Sequence, residues 1–389
     1  MKLGKGRDIN SKIAALDCRA LIRYDTNFKA LKFQETLVQS FVKIIFNIPE
    51  SREFMHTCYA SEPVLAEAAS QILNELADNE GRIEHQAASI LHYALNSSLL
   101  AKGERGEMVA RILFLVARDM AVIKSMSEQQ RNVERFTGLQ FSKPIPLLDF
   151  LKSLCSPESW EIARSAKPYH AYEDSPTLET KYKDAWVNFS HFMEVKGETY
   201  TMQNLPAILM RNAAIQAGPN QASFDGTIGV FHGDPLKDAI TLARVGPILF
   251  QIKNWFKLFR VVTGDIKTMG FPKGDLPIMT ITMHLGHEAE KPVVVTTKDR
   301  SLYGTRGSAD ASKDIRSRHY DLTFFGCTSK TYGCVPEDVS YSKLLRSEDP
   351  LKGFQHGGVK ESLDLAKELT PIYDSKRINR WAYRSASPE

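Results

Sequence analysis

The stretch Val245-Gly-Pro-Ile-Leu-Phe-Gln-Ile-Lys-Asn254 decides the fold prediction, because it is an apolar run that ends in two polar side chains. Its apolar residues, followed by a polar boundary, predict a buried β-strand. Side chains alternate along a strand, so Gln251 and Lys253 project to the same side. The stretch therefore predicts an amide oxygen and an ammonium group side by side at the end of a buried strand.

A second polar residue lies upstream, in Ser223-Phe-Asp-Gly-Thr-Ile-Gly-Val230. An aspartate before glycine is common in turns, and that is one interpretation of Asp225. The alternative is functional, because a carboxylate within an apolar run is costly unless a metal or a basic group neutralises it. Divalent metals prefer oxygen ligands, and a nearby lysine can orient a water molecule. Asp225, Gln251 and Lys253 together therefore indicate a candidate metal-dependent hydrolytic site.

The rest of the chain divides into a helical part and a mixed part. Residues 28–126 are predicted to be helical, with helices at 28–48, 64–76 and 104–123, and the last of these shows the clearest apolar face. Glu107 and Arg111 are four residues apart and are expected to pair on that helix. The amphipathic pattern predicts a helical bundle or array.

The mixed part begins near residue 182. A helix is predicted at 203–217, ending at Gly218-Pro219, and strands are predicted at 224–231, 247–252, 278–285, 292–296 and 319–326. The fold class is therefore predicted to be α+β, a helical bundle or array followed by a mixed α/β domain. The predicted divisions are a helical domain at 1–130, a proline-rich connection at 131–181, the mixed domain at 182–345, and a polar extension with one helix at 346–389.

These motifs and their order resemble the PD-(D/E)xK nuclease superfamily, which has the restriction-endonuclease-like fold. The segments that carry the likeness are 185–192, 211–216, 220–225 and 248–254. More narrowly, they are similar to the nuclease-like domains of uncharacterised fungal proteins related to Crinkler-type effectors. The resemblance implies a metal-dependent nuclease that cleaves phosphodiester bonds, with DNA favoured over RNA, and a link to effectors or mobile elements.

The resemblance also implies roles for individual residues. Asp225 would bind Mg or Mn directly, the Gln251 amide oxygen and the Ile252 carbonyl would add ligands, and Lys253 would orient the attacking water. From the residues themselves, Arg211 and Arg306 are candidate nucleic-acid contacts at phosphate groups. Their alternatives are a helix-dipole partner for Arg211 and a plain surface loop for Arg306.

Two departures from the family pattern leave a second function open. Gln251 replaces an acidic residue, and the predicted helix at 203–217 contains no acid, although Glu194 or Glu198 could replace it. The alternative is a catalytically degenerate nuclease-fold protein that acts as a nucleic-acid- or protein-binding module, with the helical region as a surface for a protein partner.

Composition sets the remaining expectations. The 389 residues carry a formal net charge of +4, which permits nucleic-acid binding without requiring it. Five scattered cysteines without a C-x-x-C pair favour an intracellular protein, in the cytoplasm or nucleus. The sequence has no apolar stretch long enough for a membrane span, no G-x-x-x-x-G-K-[ST] motif for ATP, and no H-E-x-x-H around His284 and His287.

Overall fold

A computed structural model of the chain describes residues 9–25, 27–40, 42–48, 50, 56–59, 62–74, 83–100, 105–127, 130, 140–169, 171–195, 201–218, 224–254, 275–295, 317–339 and 341–345. All of them belong to one compact unit, Met1–Leu345. The predicted helix near 359–369 and the loop that contains Arg306 lie outside the described residues.

The helices of the described residues fall mostly in the first half of the chain. They are α1 (Ile9–Ala20), α2 (Phe28–Gln39), α3 (Glu62–Asn74), α4 (Ile83–Asn96), α5 (Arg105–Lys124), α6 (Leu147–Leu154), α7 (Pro157–Arg164), α8 (Leu178–Lys181), α9 (Leu205–Met210) and α10 (Ser342–Leu345). None of the helices in these ranges is both long enough and apolar enough to cross a membrane.

The strands form a small ribbon and one large mixed sheet. They are β1 (Lys43–Asn47), β2 (His56–Tyr59), β3 (Ile145–Pro146), β4 (Ala185–Val187), β5 (His191–Glu194), β6 (Ala213–Gln216), β7 (Gly226–His232), β8 (Val245–Lys253), β9 (Ile278–His284), β10 (Val293–Val295) and β11 (His319–Phe325). The ribbon is β1–β2, and the sheet has the order β10-β11-β9-β8-β7-β4-β3, with β6 also paired to β7 and β5 to β6. Helices together with this sheet confirm the predicted α+β class.

The centre of the sheet combines both strand directions. β7 and β8 are antiparallel, whereas β8–β9 and β9–β11 are parallel. All five strands predicted in this region are present, with ends shifted by no more than two residues. The central strands are almost fully buried, which explains why most of their residues are apolar or small.

One hydrophobic core joins the helices to the sheet. The ring of Phe114 on α5 lies 5.1 Å from that of Phe250 on β8. The ring of Phe150 on α6 lies 5.5 Å from that of Phe189, just after β4. The same buried cluster extends from Ile13 to Leu345, so the core crosses the predicted divisions at residues 130 and 181.

A buried ionic network ties three helices to the sheet. The Asp119 carboxylate on α5 accepts two hydrogen bonds from the Arg19 guanidinium, at 2.6 and 2.8 Å, and one from Asn74 at 2.8 Å. Arg118 lies 3.3 Å from the same carboxylate. Arg19 also donates to the Ser190 carbonyl at 2.9 Å, next to β5. These charged groups are tolerated in the interior because each has a partner.

Two predicted helices are shorter than expected. The helix predicted at 28–48 ends at Gln39, and the chain then forms β1, where the β-branched Ile44 and Ile45 favour a strand that pairs with β2. The helix predicted at 203–217 ends at Met210, because Asn212 adopts a left-handed conformation (φ 54°) that interrupts the helix.

Candidate functional site

The β7–β8 pair positions Asp225. The register between β7 and β8 begins with Gly226 paired to Phe250, and Asp225 comes one residue before this paired stretch, beside Gln251. Its backbone N–H donates to the Phe250 carbonyl at 2.8 Å. Its carboxylate oxygen Oδ2 accepts a hydrogen bond from the Ile252 N–H at 2.5 Å. The aspartate is therefore fixed against the end of β8 by bonds to both sides of Gln251.

Gln251 and Lys253 lie on one face of the sheet, and Asp225 lies beside them at the start of β7. Residues two apart on one strand share a face. Gln251 is 93 % buried, and its amide oxygen has no hydrogen-bond partner among the described residues. An amide oxygen without a partner at this depth is costly unless a ligand binds it. The three residues predicted from the sequence are thus brought together.

The electrostatics of this cluster favour a cation. Burial raises the pKa of Asp225, and the Ile252 hydrogen bond and the charges of Lys253 and Arg111 offset this only in part. The ionised carboxylate is therefore less stable here than in water. A bound cation would stabilise the ionised form. The positive charge of Lys253 lowers the pKa of Asp225, so the two side chains interact electrostatically.

Helix α5 reaches the same end of the sheet from the other face. A Cβ atom at Gly106 would lie 2.9 Å from the Asn254 Cβ, so the first turn of α5 contacts the chain immediately after β8. Glu107 accepts a hydrogen bond from the Gln216 side-chain amide nitrogen at 2.7 Å, and Arg111 donates to the Gln216 side-chain oxygen Oε1 at 2.7 Å. Because Gln216 pairs with Gly226, this network lies beside the start of β7.

The contribution of α5 could not be expected from the sequence. The pairing of Glu107 with Arg111 is confirmed at 3.8 Å, but nothing in the pattern places either residue near Asp225, more than 100 positions away. Of the two acids suggested as replacements for a helix acid, Glu194 forms an ion pair with Arg23 at 2.7 Å. Glu198 lies outside the described residues.

The predicted nucleic-acid contacts have different outcomes. Arg211 caps the C-terminus of α9, as expected for a basic residue at a helix end, and its backbone N–H donates to the Ala207 and Ile208 carbonyls. Its charge contributes to lowering the pKa of His191, so Arg211 lies towards β5. Arg306 is among the residues that the structure does not describe.

The residues present fit a magnesium or manganese ion only as a site with few protein ligands. Such ions retain several water molecules and often bind one or two carboxylates. Asp225 and the Gln251 oxygen offer two hard oxygen ligands. Across the described ranges, no group of three or more His, Cys, Asp or Glu side chains is arranged to hold a metal.

Comparison with known families covers the helical part of the chain. Residues 7–152 match the model of a domain of unknown function (DUF8736). No curated protein and no solved structure matches the chain. The matched region runs from α1 to α6, so it includes Glu107 and Arg111 but ends before Asp225. The family match therefore says nothing about the chemistry of the sheet.

Proposed function

We propose that the protein is a metal-dependent nuclease that hydrolyses phosphodiester bonds, with a PD-(D/E)xK type of site. The observation that carries the proposal is the hydrogen bond that fixes Asp225 against Ile252, between Gln251 and Lys253, which share one face of the sheet. The Gln251 amide oxygen supports it, because this buried atom accepts no hydrogen bond within the part of the chain that the structure describes.

Each residue has a defined task in this proposal. Mg or Mn would be held by Asp225 and the Gln251 oxygen, with the Ile252 carbonyl as a further ligand, and would polarise the phosphate and lower the pKa of a bound water. Lys253 would hold that water and offset negative charge at the phosphate. Arg111, whose charge acts on Asp225, would help to keep this carboxyl ionised.

The direct test is cleavage of plasmid DNA by the purified chain with Mg or Mn. Asp225→Asn and Lys253→Ala are each expected to lower the rate by 100-fold or more, in the range of about 10²–10³ seen when one stabilising group is removed from a site. Asp184→Asn and Lys237→Ala are matched controls, because these side chains are 81 % and 82 % exposed. If neither metal supports cleavage, or if the site variants cleave like the controls, the proposal is wrong.

The neutral Gln251 favours a second candidate, a binding module that has lost catalysis. It lacks the charge of the acidic residue found in the PD-(D/E)xK pattern, and fewer anionic ligands mean weaker metal affinity. Gln251→Glu distinguishes the two proposals. A nuclease should cleave faster or at lower metal concentration with the added carboxylate. A binding module should instead bind DNA in a salt-sensitive way without metal, and should retain binding in Lys253→Ala.

A further inference from the structure

The polar face of the sheet continues beyond Gln251 and Lys253. In the parallel register of β8 and β9, Gln251 pairs with Thr282 and Lys253 pairs with His284. Thr282 and His284 therefore project to the same side as the candidate site. The other side of these strands is apolar and belongs to the main core.

Thr282 and His284 are fully buried side chains whose polar atoms lack hydrogen-bond partners in the described ranges. Both are 0 % exposed. The Thr282 hydroxyl and both ring nitrogens of His284 make no hydrogen bond to any residue that the structure describes. Three such atoms in neighbouring positions are unusual in a folded protein and call for a ligand or another specific reason.

Thr282 and His284 lie too far from Asp225 to bind the same metal ion. Neighbouring strands are about 4.8 Å apart, so β9 lies about 10 Å from β7, where Asp225 is fixed. That distance is too long for one metal ion to bind both Asp225 and His284. The pair therefore belongs to a separate subsite on the same face, with Lys253 between the two.

The chemistry of the subsite suits an anion with several oxygens. A threonine hydroxyl and a neutral imidazole each donate a hydrogen bond, and Lys253 adds a positive charge. The pKa of His284 is lowered to about 4 by burial and by the charges of His287 and Lys253, so the ring is neutral at pH 7. The ring stacks on Phe325 at 5.2 Å, which restricts its orientation.

We propose that Thr282 and His284, together with Lys253, form a second subsite that binds a backbone phosphate of nucleic acid next to the phosphate that is cleaved. This subsite rests on the proposed nuclease function for its ligand, but not for its existence. Free phosphate offers the same oxygen atoms, so the experiment separates the two sources.

The first measurement is made on the wild-type chain, and a variant serves only to assign one signal. Histidine ring resonances are recorded by NMR on the full chain in EDTA, with and without inorganic phosphate, and His284→Leu identifies the signal of His284. Phosphate is expected to shift this signal. Among the described residues, the charges of Lys253 and His287 act on the ring, so an added anion should also raise the pKa of His284 above about 4.

The second measurement is binding of a fluorescent single-stranded oligonucleotide in EDTA, followed by anisotropy. Thr282→Val should weaken binding by about tenfold, because one hydrogen bond to a charged group is lost. Thr227→Val is the matched control, since Thr227 is also 0 % exposed with an unpartnered hydroxyl but lies on β7. Its affinity should stay within twofold of the wild type.

Salt dependence identifies the role of each group. The slope of log affinity against log salt should be unchanged in Thr282→Val, because no charge is removed. The magnitude of the slope should be smaller by about 0.7 in Lys253→Gln if Lys253 contacts one phosphate of a single strand.

The outcomes separate the subsite from the nuclease. A phosphate-dependent shift of His284 together with weaker oligonucleotide binding by Thr282→Val supports the subsite, even if the plasmid is never cleaved. A shift without oligonucleotide binding assigns the subsite to a free phosphate compound and overturns the nucleic-acid assignment. If phosphate leaves the His284 signal unchanged, the subsite is refuted, even in an active nuclease. If the oligonucleotide binds and Thr282→Val binds it as tightly as Thr227→Val, the assignment to nucleic acid is refuted.

Discussion

Replacing Asp119 by alanine should destabilise the whole folded unit. The Asp119 carboxylate is 0 % exposed and neutralises Arg19, which is also 0 % exposed. Arg118, only 1 % exposed, has lost part of its ordinary basicity through burial, with a pKa lowered to about 10. In Asp119→Ala both guanidinium groups would keep their positive charge in the interior without this partner.

The magnitude follows from the burial of the network. Removing one partner of a buried ion pair costs about 3–5 kcal/mol. Whole domains are stable by only about 5–15 kcal/mol, so the variant should lose a large part of its free energy of unfolding. At about 2 °C per kcal/mol for a large domain, the Tm should fall by about 6–10 °C.

Urea and thermal unfolding of the full chain test this prediction, with circular dichroism and tryptophan fluorescence as independent probes. The exposed Asp184→Ala is the control and should change stability by less than about 0.5 kcal/mol. Because Arg19 also binds the Ser190 carbonyl beside β5, both probes should report the same lower midpoint. A loss below about 1 kcal/mol, or a transition in which only the helical signal shifts, would refute the argument.

Three further predictions concern the sheet. Asp225→Asn should be more stable than the wild type at pH 7 to 8, because the raised pKa of Asp225 means that its ionisation destabilises the fold. The difference in free energy of urea unfolding between variant and wild type should disappear as the pH falls towards 3.8, the ordinary carboxyl pKa. A variant less stable than the wild type at pH 7 would contradict the prediction. Gly226→Ala should lower the free energy of unfolding by about 1–3 kcal/mol or more, since the added Cβ would lie 2.1 Å from the Phe250 ring and 2.2 Å from the Ile215 carbonyl oxygen. Gly229→Ala in the same strand is the control, because its Cβ would make ordinary contacts at 3.5 Å, and equal losses in both variants would rule out the steric explanation. Stability should also fall as the pH decreases from about 6.5 to 4, because the unfolded chain binds protons before the folded chain does; a flat profile between pH 7 and 5 would contradict this. The histidines responsible are buried, with pKa values lowered to about 4: His191, His232, His284 and His319.

The strands that form the candidate site could be predicted because their sequences leave little choice. In β8, an apolar run followed by Gln251 and Lys253 gives both the strand and the face of its polar residues. The position of Asp225 beside Gln251 required only that β7 and β8 be antiparallel neighbours. Local patterns were sufficient where buried strands are short, apolar and bounded by polar residues.

Other elements depend on contacts between distant parts of the chain. Helix α1 was not predicted, because Asp17 and Arg19 make its buried face look polar, and only distant partners such as Asp119 explain their burial. The segment that forms β6 is predicted as part of a helix, because its local sequence does not exclude one. Its pairing with β5 and β7 overrides that local preference. No local sequence pattern predicts that Glu107 lies next to the sheet.

The two aromatic pairs that join α5 and α6 to the sheet bear on how the protein can be divided. The region that matches the domain of unknown function ends at residue 152, yet Phe114 and Phe150 within it pack against Phe250 and Phe189 outside it. An excised fragment of residues 7–152 would expose these rings to water, and exposed apolar surface of this kind promotes aggregation. The limits of a sequence family and of an autonomously folding piece therefore differ in this chain, and studies of the matched region are best made on the intact protein.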